Sequence, residues 1–429
     1  MQEKGYAGGA FVAKKRVQNK AAAGVPANAA PEAGGQVRRR KKFPEPKLRI
    51  AEGSIDYLFA VIVAVLLVFG LIMMFSASYM EGLLSKARDG YLYLKVQLIA
   101  AAIGLILLYF ISILDYHIFL NSRIVFLGYI IVVALLTFTT FKGVGKAEAI
   151  RWIQIPIGPG FNFQPSEAAK AVLIIVLSYI AVRKMQSVYI FGIELKGGWM
   201  LIAMAPICLN MVFQRHISGL IIMVVIYACI LFMSGMSLKS IIKLGAILGG
   251  VAVLFVFVFL AIKENGFDYI LTRVSNMWIS PETEMNDDNY QSFQSLIAMG
   301  SGGWFGLGFG ASRQKYLWLP EAQNDFIIAI IVEELGFIGG LAVVALFLLF
   351  IIRGFRIAKT APDKFGTLIV SGIVFQIGFQ AIFNIGVACN AIPNTGVALP
   401  FFSYGGSAMI IQLAEMGVVL SVSRQCNNI

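Results

Sequence analysis

The feature that most constrains this sequence is a series of long apolar blocks separated by polar segments. About 20 apolar residues in a helix are enough to cross the hydrocarbon layer of a membrane, and 58% of the 429 residues are hydrophobic. We therefore predict an all-α, polytopic integral membrane protein with about ten transmembrane helices. The predicted spans lie near residues 55–78, 92–114, 123–141, 167–182, 197–213, 216–235, 240–262, 326–352, 365–388 and 405–423.

Residues 1–50 differ from the rest of the chain in composition. They hold twelve Lys or Arg against Glu3, Glu32 and Glu45, so they carry +9 of the net charge of +12. Because this segment is rich in Ala, Gly and Pro and lacks an apolar core, we predict a disordered basic tail, followed by a membrane domain over residues 51–429. A polybasic segment beside a span favours anionic membrane lipids as the partner, and we expect no nucleic acid.

The basic tail also predicts the orientation of the helices. Positively charged segments stay on the cytoplasmic side, so the tail is expected there, and ten spans return the C-terminus to the same side. The apolar stretch at 55–78 has the length of a full span and no convincing cleavage site, so we expect it to remain as the first helix. The protein is thus predicted in the cell membrane, as a multi-pass protein with cytoplasmic N- and C-termini.

Three unusual loops are predicted on one face of the membrane. Segments 145–170, 264–325 and 389–407 follow the third, seventh and ninth spans, all odd, and the tail indicates that their shared face is extracytoplasmic. Segment 264–325 is far longer than the usual connection of roughly four to six residues, and such long loops are usually functional or disordered. Its many aromatic and aliphatic residues argue against disorder. We therefore expect a functional region on the outer face.

Asp325, directly before the eighth span, has two interpretations. As a helix N-cap, it would accept a hydrogen bond from the first turn. As a functional acid on the face that carries Arg151 and Glu167, it would be a candidate general base. Glu333 and Glu334 follow about two turns later inside the span, and at least one of them is expected to face the protein interior.

The segment before the fourth span also combines charges. Pro165 is typical of the first turn of a helix, and Glu167 lies close to the positive end of that helix. Lys170, three residues later, shares its face and could pair with it at membrane depth, for a structural or a functional reason. Arg151 can bind two phosphate oxygens at once through its guanidinium group.

Three motifs in these loops resemble the SEDS family (shape, elongation, division and sporulation), which includes the FtsW and RodA branches. The matching segments are RWIQIPIGPGFNFQPSEAAK, NYQSFQSLIAMGSGGWFGLGFGASRQKYLWLPEAQNDFIIAIIVEELG and NIGVACNAIPNTGVALPFFSYGGS. LPEAQNDF and NTGVALPFFSYGGS look closer to the FtsW-like division and sporulation branch. One departure follows the fifth span, where the family usually has a Gln-Pro-Asp-Leu-Gly-Thr-like run and this chain has QRHISG.

The resemblance implies a peptidoglycan glycosyltransferase that polymerises lipid II into β-1,4 glycan strands on the outer membrane face during cell division or sporulation. Asp325 matches the catalytic carboxylate of the family. The implied substrate-binding residues are Arg151, Glu167, Lys170, Ser403, Gly405 and Gly406. A divalent cation, Mg or Mn, is a possible cofactor, although no metal ligands are assigned. The implied partners are lipid II, a class B penicillin-binding protein that acts as transpeptidase, and other divisome proteins.

Two other functions fit part of the same pattern. Ten spans with broken polar segments and intramembrane charges also describe secondary transporters, so the protein could be a flippase for lipid II. Transporters place their site near the middle of the membrane, whereas the polar motifs here lie on one predicted face. A scaffold of the division machinery, with the loops as docking surfaces, is the third interpretation, and it is compatible with catalysis.

Overall fold

The computed structural model describes residues 49–85, 88–146, 149–154, 162–183, 187–190, 193–247, 249–250, 289–393 and 396–426. Helices dominate these ranges. They are α1 (Tyr57–Leu84), α2 (Leu92–Ile113), α3 (Ser122–Lys142), α4 (Pro165–Arg183), α5 (Gly198–Phe213), α6 (Ile217–Met233), α7 (Tyr290–Gly302), α8 (Ile327–Thr360), α9 (Lys364–Ala388) and α10 (Gly406–Arg424). Among the described residues, α1–α4 and α8–α10 are long and apolar enough to cross a membrane, and α5 and α6 are shorter apolar helices.

The apolar blocks of the sequence predicted these helices closely. Each of the predicted spans except the seventh corresponds to one apolar helix, with bounds that differ by a few residues, and the prediction of a multi-pass membrane protein is confirmed. The seventh predicted span, 240–262, lies largely outside the described residues, as does the first part of the 264–325 loop. The predicted tail, 1–50, is described only at its last two residues.

Helices α9 and α10 form the centre of the bundle, whereas α2 and α3 present much of their apolar surface outward. Along its length α10 packs against α2, and two glycines bring the helices close together. A Cβ at Gly417 would lie 2.8 Å from the Leu108 carbonyl oxygen, and one at Gly104 would lie 2.6 Å from Leu413 Cδ1. Small residues at such contacts are how membrane helices gain close packing without a hydrophobic driving force.

Two small antiparallel sheets connect the helices. Strands β1 (Val144–Lys146), β2 (Ala149–Gln154) and β3 (Asn162–Phe163) form one sheet in that order, and β4 (Ser187–Ile190) pairs with β5 (Ile193–Lys196). The pairing of Ile153 with Phe163 brings β2 back beside the start of α4. The first sheet therefore holds Arg151, on β2, at the end of the bundle where α4 begins.

Helix α8 is interrupted at Gly336, which has a φ of 73° and a ψ of −173°. The loop after α7 fills the interruption. Its N–H groups at Leu307 and Gly308 donate to the carbonyls of Glu333 and Glu334, at 2.9 and 3.0 Å. In return, the N–H groups after the break donate to loop carbonyls: Phe337 to Gly303 at 2.8 Å, and Ile338 to Trp304 at 3.3 Å. Non-helical backbone at membrane depth is tolerated when protein satisfies its polar groups in this way.

Ionic contacts join the helix ends at the opposite end of the bundle, where α9 begins. The His117 ring, between α2 and α3, lies 2.6 Å from Asp115 and 3.2 Å from Asp363. Hydrogen bonds to Asp363 and then to Asp115 raise the pKa of His117, although partial burial opposes them. These contacts fasten two loops that are distant in sequence.

Replacing His117 with glutamine is expected to flatten the pH dependence of stability. Because the folded pKa is raised, the charged imidazole stabilises fully below its ordinary value of 6.5, and this contribution is lost as pH rises through the folded pKa. Thermal unfolding in detergent should show that the parent loses more stability than His117→Gln between about pH 5.5 and about pH 8.5. Parallel loss in both proteins would exclude this contribution.

Candidate active site

Three segments that are distant in sequence meet at Gly396, in the connection between α9 and α10. A Cβ built on Gly396 would lie 3.2 Å from Asp325 Oδ2 and 3.4 Å from Arg151 Nη1. The φ of Gly396 is +70°, a conformation that other residues rarely adopt. The carboxylate and the guanidinium group therefore face one point, as predicted from the shared face of their loops.

The side-chain amide of Asn384 holds two backbone carbonyls near Gly396. Asn384 Nδ2, near the end of α9, donates to the Asp325 carbonyl and to the Val397 carbonyl, both at 2.7 Å. The loop before Asp325 is also fixed, because the Tyr404 N–H donates to the Gln323 carbonyl at 2.9 Å. Fixed supports of this kind position a reacting group with little loss of entropy on binding.

The interpretation of Asp325 as N-cap of the eighth span is wrong. Helix α8 begins at Ile327, and its N-cap is Phe326, whose side chain makes no capping hydrogen bond. Asp325 thus lies one residue before the cap, and its carboxylate turns toward Gly396.

The three predicted substrate-binding residues of the last motif lie at the start of α10. Ser403 Oγ donates to the Asn324 carbonyl at 2.5 Å and accepts from the Leu399 N–H at 2.7 Å. The Gly405 N–H donates to Gln97 Oε1 of α2 at 3.1 Å, and Gly406 is the first residue of α10. Ser403 and Gly405 thereby fasten the last motif to α2 and to the loop that carries Asp325.

The predicted pair of Glu167 and Lys170 is present on α4. Lys170 Nζ lies 2.8 Å from Glu167 Oε2, and the side chain of Lys170 is only 3% exposed. Helix α4 begins at Pro165, as predicted. The N–H of Gln164, directly before it, donates to Ser407 Oγ at 3.1 Å, so α4 and α10 start side by side. An ion pair with a buried lysine therefore lies in the first turns of α4, where α4 and α10 start side by side.

Two residues of this region were not predicted from the sequence. His216, in the turn between α5 and α6, is buried close enough to Arg151 and Lys170 for their charges to act on it. Glu415, in the middle of α10, is 3% exposed, accepts a 3.4 Å hydrogen bond from Gln376 and has Lys170 and Glu167 as charged neighbours. An acid inside an apolar span was the signal for Glu415.

Glu333 and Glu334 support the loop before Asp325. Both are buried, which confirms the prediction that at least one faces the interior. Glu333 accepts from Ser312 Oγ at 2.5 Å and from the Arg313 N–H at 2.9 Å. Glu334 lies 2.9 Å from Lys315 Nζ. These contacts are structural, and they explain why an apolar span contains two acidic residues.

The same network reaches α1. Ser76 Oγ donates to the Glu334 carboxylate, at 2.7 and 2.8 Å to its two oxygens, and Lys315 Nζ donates to the Gly310 carbonyl at 2.6 Å. The loop, α8 and α1 are thus joined by buried polar contacts.

Comparison with known proteins identifies the family. Residues 56–428 match the model of the FtsW/RodA/SpoVE family, described as cell cycle protein. The chain belongs to this SEDS family. The family that the three motifs predicted is therefore confirmed, and the match covers the whole membrane domain apart from its first and last residues.

Relatives of this SEDS protein carry division and sporulation names. It is 34% identical over 379 residues to "Probable peptidoglycan glycosyltransferase FtsW" of Geobacter sp. (strain M18), which covers 88% of this chain and 98% of that protein. It is 36% identical over 373 residues to "Stage V sporulation protein E" of Bacillus subtilis (strain 168), covering 86% of this chain and 97% of that protein. These names confirm the FtsW-like branch.

Solved structures share the fold of this SEDS protein. One, described as "Structural coordination of polymerization and crosslinking by a peptidoglycan synthase complex", superposes with a TM-score of 0.66 over 86% of this chain and 98% of that chain, at 24% identity. The rod shape determining protein RodA of Thermus thermophilus superposes with a TM-score of 0.60 over 87% and 98%, also at 24% identity.

Proposed function

We propose that this SEDS protein is a peptidoglycan glycosyltransferase that polymerises lipid II into β-1,4 glycan strands. The observation that carries the proposal is the meeting of Asp325 and Arg151 at Gly396, together with the ion pair of Glu167 and Lys170 at the start of α4. Lipid II combines an apolar tail, an anionic diphosphate and a polar sugar, and a site at one end of a membrane bundle suits all three. The names of the FtsW relatives support the same activity.

In the reaction, Asp325 acts as the general base. The 4-hydroxyl of the acceptor sugar attacks the anomeric carbon of the donor, so one C–O bond forms while the bond from that carbon to the diphosphate oxygen breaks. The diphosphate leaves with the electron pair, Asp325 takes the hydroxyl proton, and the α-linkage becomes β. A well-placed base contributes about 10²–10⁴ in rate.

Arg151 and Lys170 stabilise the leaving group. Negative charge develops on the diphosphate in the transition state, and cations that are already fixed by protein contacts stabilise it without reorganising. The contact of Lys170 with Glu167 holds the ammonium group in place before substrate arrives. Arg151 adds a planar group that can bind two phosphate oxygens together.

A divalent cation fits this site only together with substrate. Within the described ranges, no group of three or more His, Cys, Asp or Glu side chains is arranged to hold a metal ion. Mg²⁺ commonly binds one or two carboxylates and completes its shell with substrate phosphates and water, and Asp325 offers one such carboxylate. A bound Mg²⁺ or Mn²⁺ would offset phosphate charge there.

The proposed setting is the outer face of the cell membrane, with both termini in the cytoplasm. The basic tail supports this orientation through the positive-inside rule. A class B penicillin-binding protein is the proposed partner, since the similar solved structure is described as a peptidoglycan synthase complex that coordinates polymerisation with crosslinking. Division or sporulation is the proposed process, as the relatives' names indicate.

Fluorescent lipid II tests the proposed activity directly. Purified protein, with and without a class B penicillin-binding protein, is incubated with the substrate and a divalent cation, and the products are separated by size. A ladder of glycan polymers is expected. The same protein in vesicles reports whether lipid II crosses the bilayer, and translocation without polymer would favour a flippase and overturn the proposal.

Changing Arg151 tests its role on the diphosphate. Arg151→Gln is expected to lower kcat/KM for lipid II by about 10²-fold, because one preorganised donor is removed. Arg151→Lys keeps the charge but not the paired donors, so it should recover only part of this loss. Arg356→Gln, at an exposed arginine near the other end of the bundle, is the matched control. Equal rates for Arg151→Gln and the control would remove Arg151 from the site.

A further inference from the structure

The loop after α7 begins with two aromatic side chains that are largely exposed. Trp304 is 69% exposed and Phe305 is 82% exposed, and they follow closely after the end of α7 at Gly302. Large aromatic side chains contribute strongly to stability when they are buried, so two exposed neighbours are unfavourable in water. Contiguous apolar surface marks contact with a partner or with a membrane. The reaction proposed above gives these two residues no role.

The backbone of this part of the loop is fixed against α8. Its N–H and carbonyl groups exchange hydrogen bonds with α8 on both sides of the break at Gly336. A Cβ added to Gly306 would overlap the Glu334 carbonyl oxygen. One added to Gly336 would overlap the Trp304 carbonyl oxygen. The loop backbone and the helix backbone are therefore in direct contact, and this contact sets where Trp304 and Phe305 lie.

Helix α8 changes its surroundings at the same break. Before the break, Ile327, Ile330 and Ile331 are fully buried. After it, large apolar side chains at spacings of three and four residues are exposed along one face of the helix: Phe337, Ile338, Leu341, Leu348, Leu349 and Ile352. Because α8 is long and apolar enough to cross a membrane, this face lies against lipid.

The length of this section of α8 indicates the depth of its first residue. The charged residues that end the exposed apolar face are Arg353 and Arg356. From Phe337 to Arg356 the helix has about 20 residues, which rise about 30 Å, the thickness of the hydrocarbon layer. With the arginines at one boundary of the hydrocarbon layer, Phe337 lies at the other boundary, on the side of the bundle that carries Asp325.

Trp304 lies at this boundary because its ring packs on Phe337. The two ring centroids are 5.3 Å apart and the ring planes meet at 78°, an edge-to-face contact. The exposed surface of Trp304 thus continues the lipid-facing surface of α8, and Phe305 extends it further. Tryptophan is enriched at the interface between hydrocarbon and water, where its ring meets both acyl chains and headgroups. This continuity favours lipid as the partner of the two aromatic residues.

We propose that Trp304 and Phe305 insert into the lipid leaflet at this end of the bundle and anchor the loop between α7 and α8 to the membrane. Their partner is the upper part of the phospholipid acyl chains. The loop then has a lipid anchor near its beginning and Asp325 at its end, so the anchor fixes its height relative to the bilayer. This placement is independent of the reaction proposed above.

Depth-dependent fluorescence quenching tests the anchor. The protein is reconstituted alone in phosphatidylcholine vesicles whose acyl chains carry bromine either near the headgroup or near the chain end. Trp304 is expected to lose most of its emission to the shallow bromines and less to the deep ones. Its signal is isolated by four substitutions: Trp152→Phe, Trp199→Phe, Trp278→Phe and Trp318→Phe.

The matched reference is a tryptophan on the lipid-facing side of α8. Leu348→Trp, in a protein that also carries Trp304→Phe, lies near the middle of the exposed section and should show the reverse order, with stronger quenching by the deep bromines. If the protein with Trp304 alone does not fold, the difference in emission between the parent and Trp304→Phe reports the same ring. That difference should again be quenched more by the shallow bromines.

Iodide in the water measures the alternatives. Quenching of Trp304 by iodide, with none by either brominated lipid, would place the ring in water and overturn the anchor. Quenching by neither iodide nor bromine would show that protein covers the ring, as a second copy of the chain could, and would overturn lipid as the partner. Stronger quenching by the deep bromines would overturn the placement at the boundary.

Discussion

Asp325→Ala is expected to abolish lipid II polymerisation, because the acceptor hydroxyl loses the carboxylate that takes its proton. The expected fall in rate is about 10²–10⁴, the usual contribution of a positioned general base. Asp325→Asn should be equally inactive, since the amide keeps the shape of the side chain but cannot accept the proton. The initial rate of polymer formation at saturating lipid II measures the effect, and folded yield is checked by thermal unfolding.

The control for this prediction is another acid at the same end of the bundle. Asp89 lies in the connection between α1 and α2, where it pairs with exposed Lys95 at 2.6 Å. Asp89→Asn should polymerise at the parent rate. Polymer formation by folded Asp325→Ala at that same rate would show that another group accepts the proton, and the assignment of Asp325 would have to be abandoned.

The sequence predicted the helices well because their signal is local. A block of about 20 apolar residues is sufficient evidence for a span wherever it occurs. The convergence of Arg151 and Asp325 was also predictable, since counting spans assigns loops to faces without any knowledge of packing. The pair of Glu167 and Lys170 followed from helical spacing alone.

The features that were not predicted depend on contacts between segments. Glycine occurs at several positions in this span, so Gly336 alone does not predict a break; the backbone groups at the break are satisfied by the loop after α7, a contact between distant segments. Glu415 and His216 have charged neighbours on other segments of the chain, which no spacing rule reveals. The sequence placed the start of α8 at residue 326, whereas the helix begins at Ile327. This difference of one residue is within the ordinary uncertainty of helix ends. It makes Phe326, and not Asp325, the N-cap.

The loop that carries Asp325 is held by contacts to other parts of the bundle. Its Asp325 carboxylate faces Gly396, where we propose that it acts as the base, and the same loop is held by buried contacts with Glu333 and Glu334. A catalytic base must stay within hydrogen-bond reach of its substrate, and a long loop alone would not hold it there. We infer that the buried ionic network keeps the loop in place at membrane depth.

Lys315→Met is therefore expected to be the most destabilising single substitution in this network. Glu334 is 0% exposed and Lys315 6%, so removing the lysine leaves a buried carboxylate without its cation, which costs about 3–5 kcal/mol. Thermal unfolding in detergent measures the loss, and Lys359→Met, at an exposed lysine near the end of α8, should leave stability unchanged. The double variant Lys315→Met with Glu334→Gln should recover most of the stability, because no unpaired charge remains buried. If the double variant is as unstable as Lys315→Met, the ion pair is not what the single substitution disrupts, and the lysine acts through its contact with Gly310 instead.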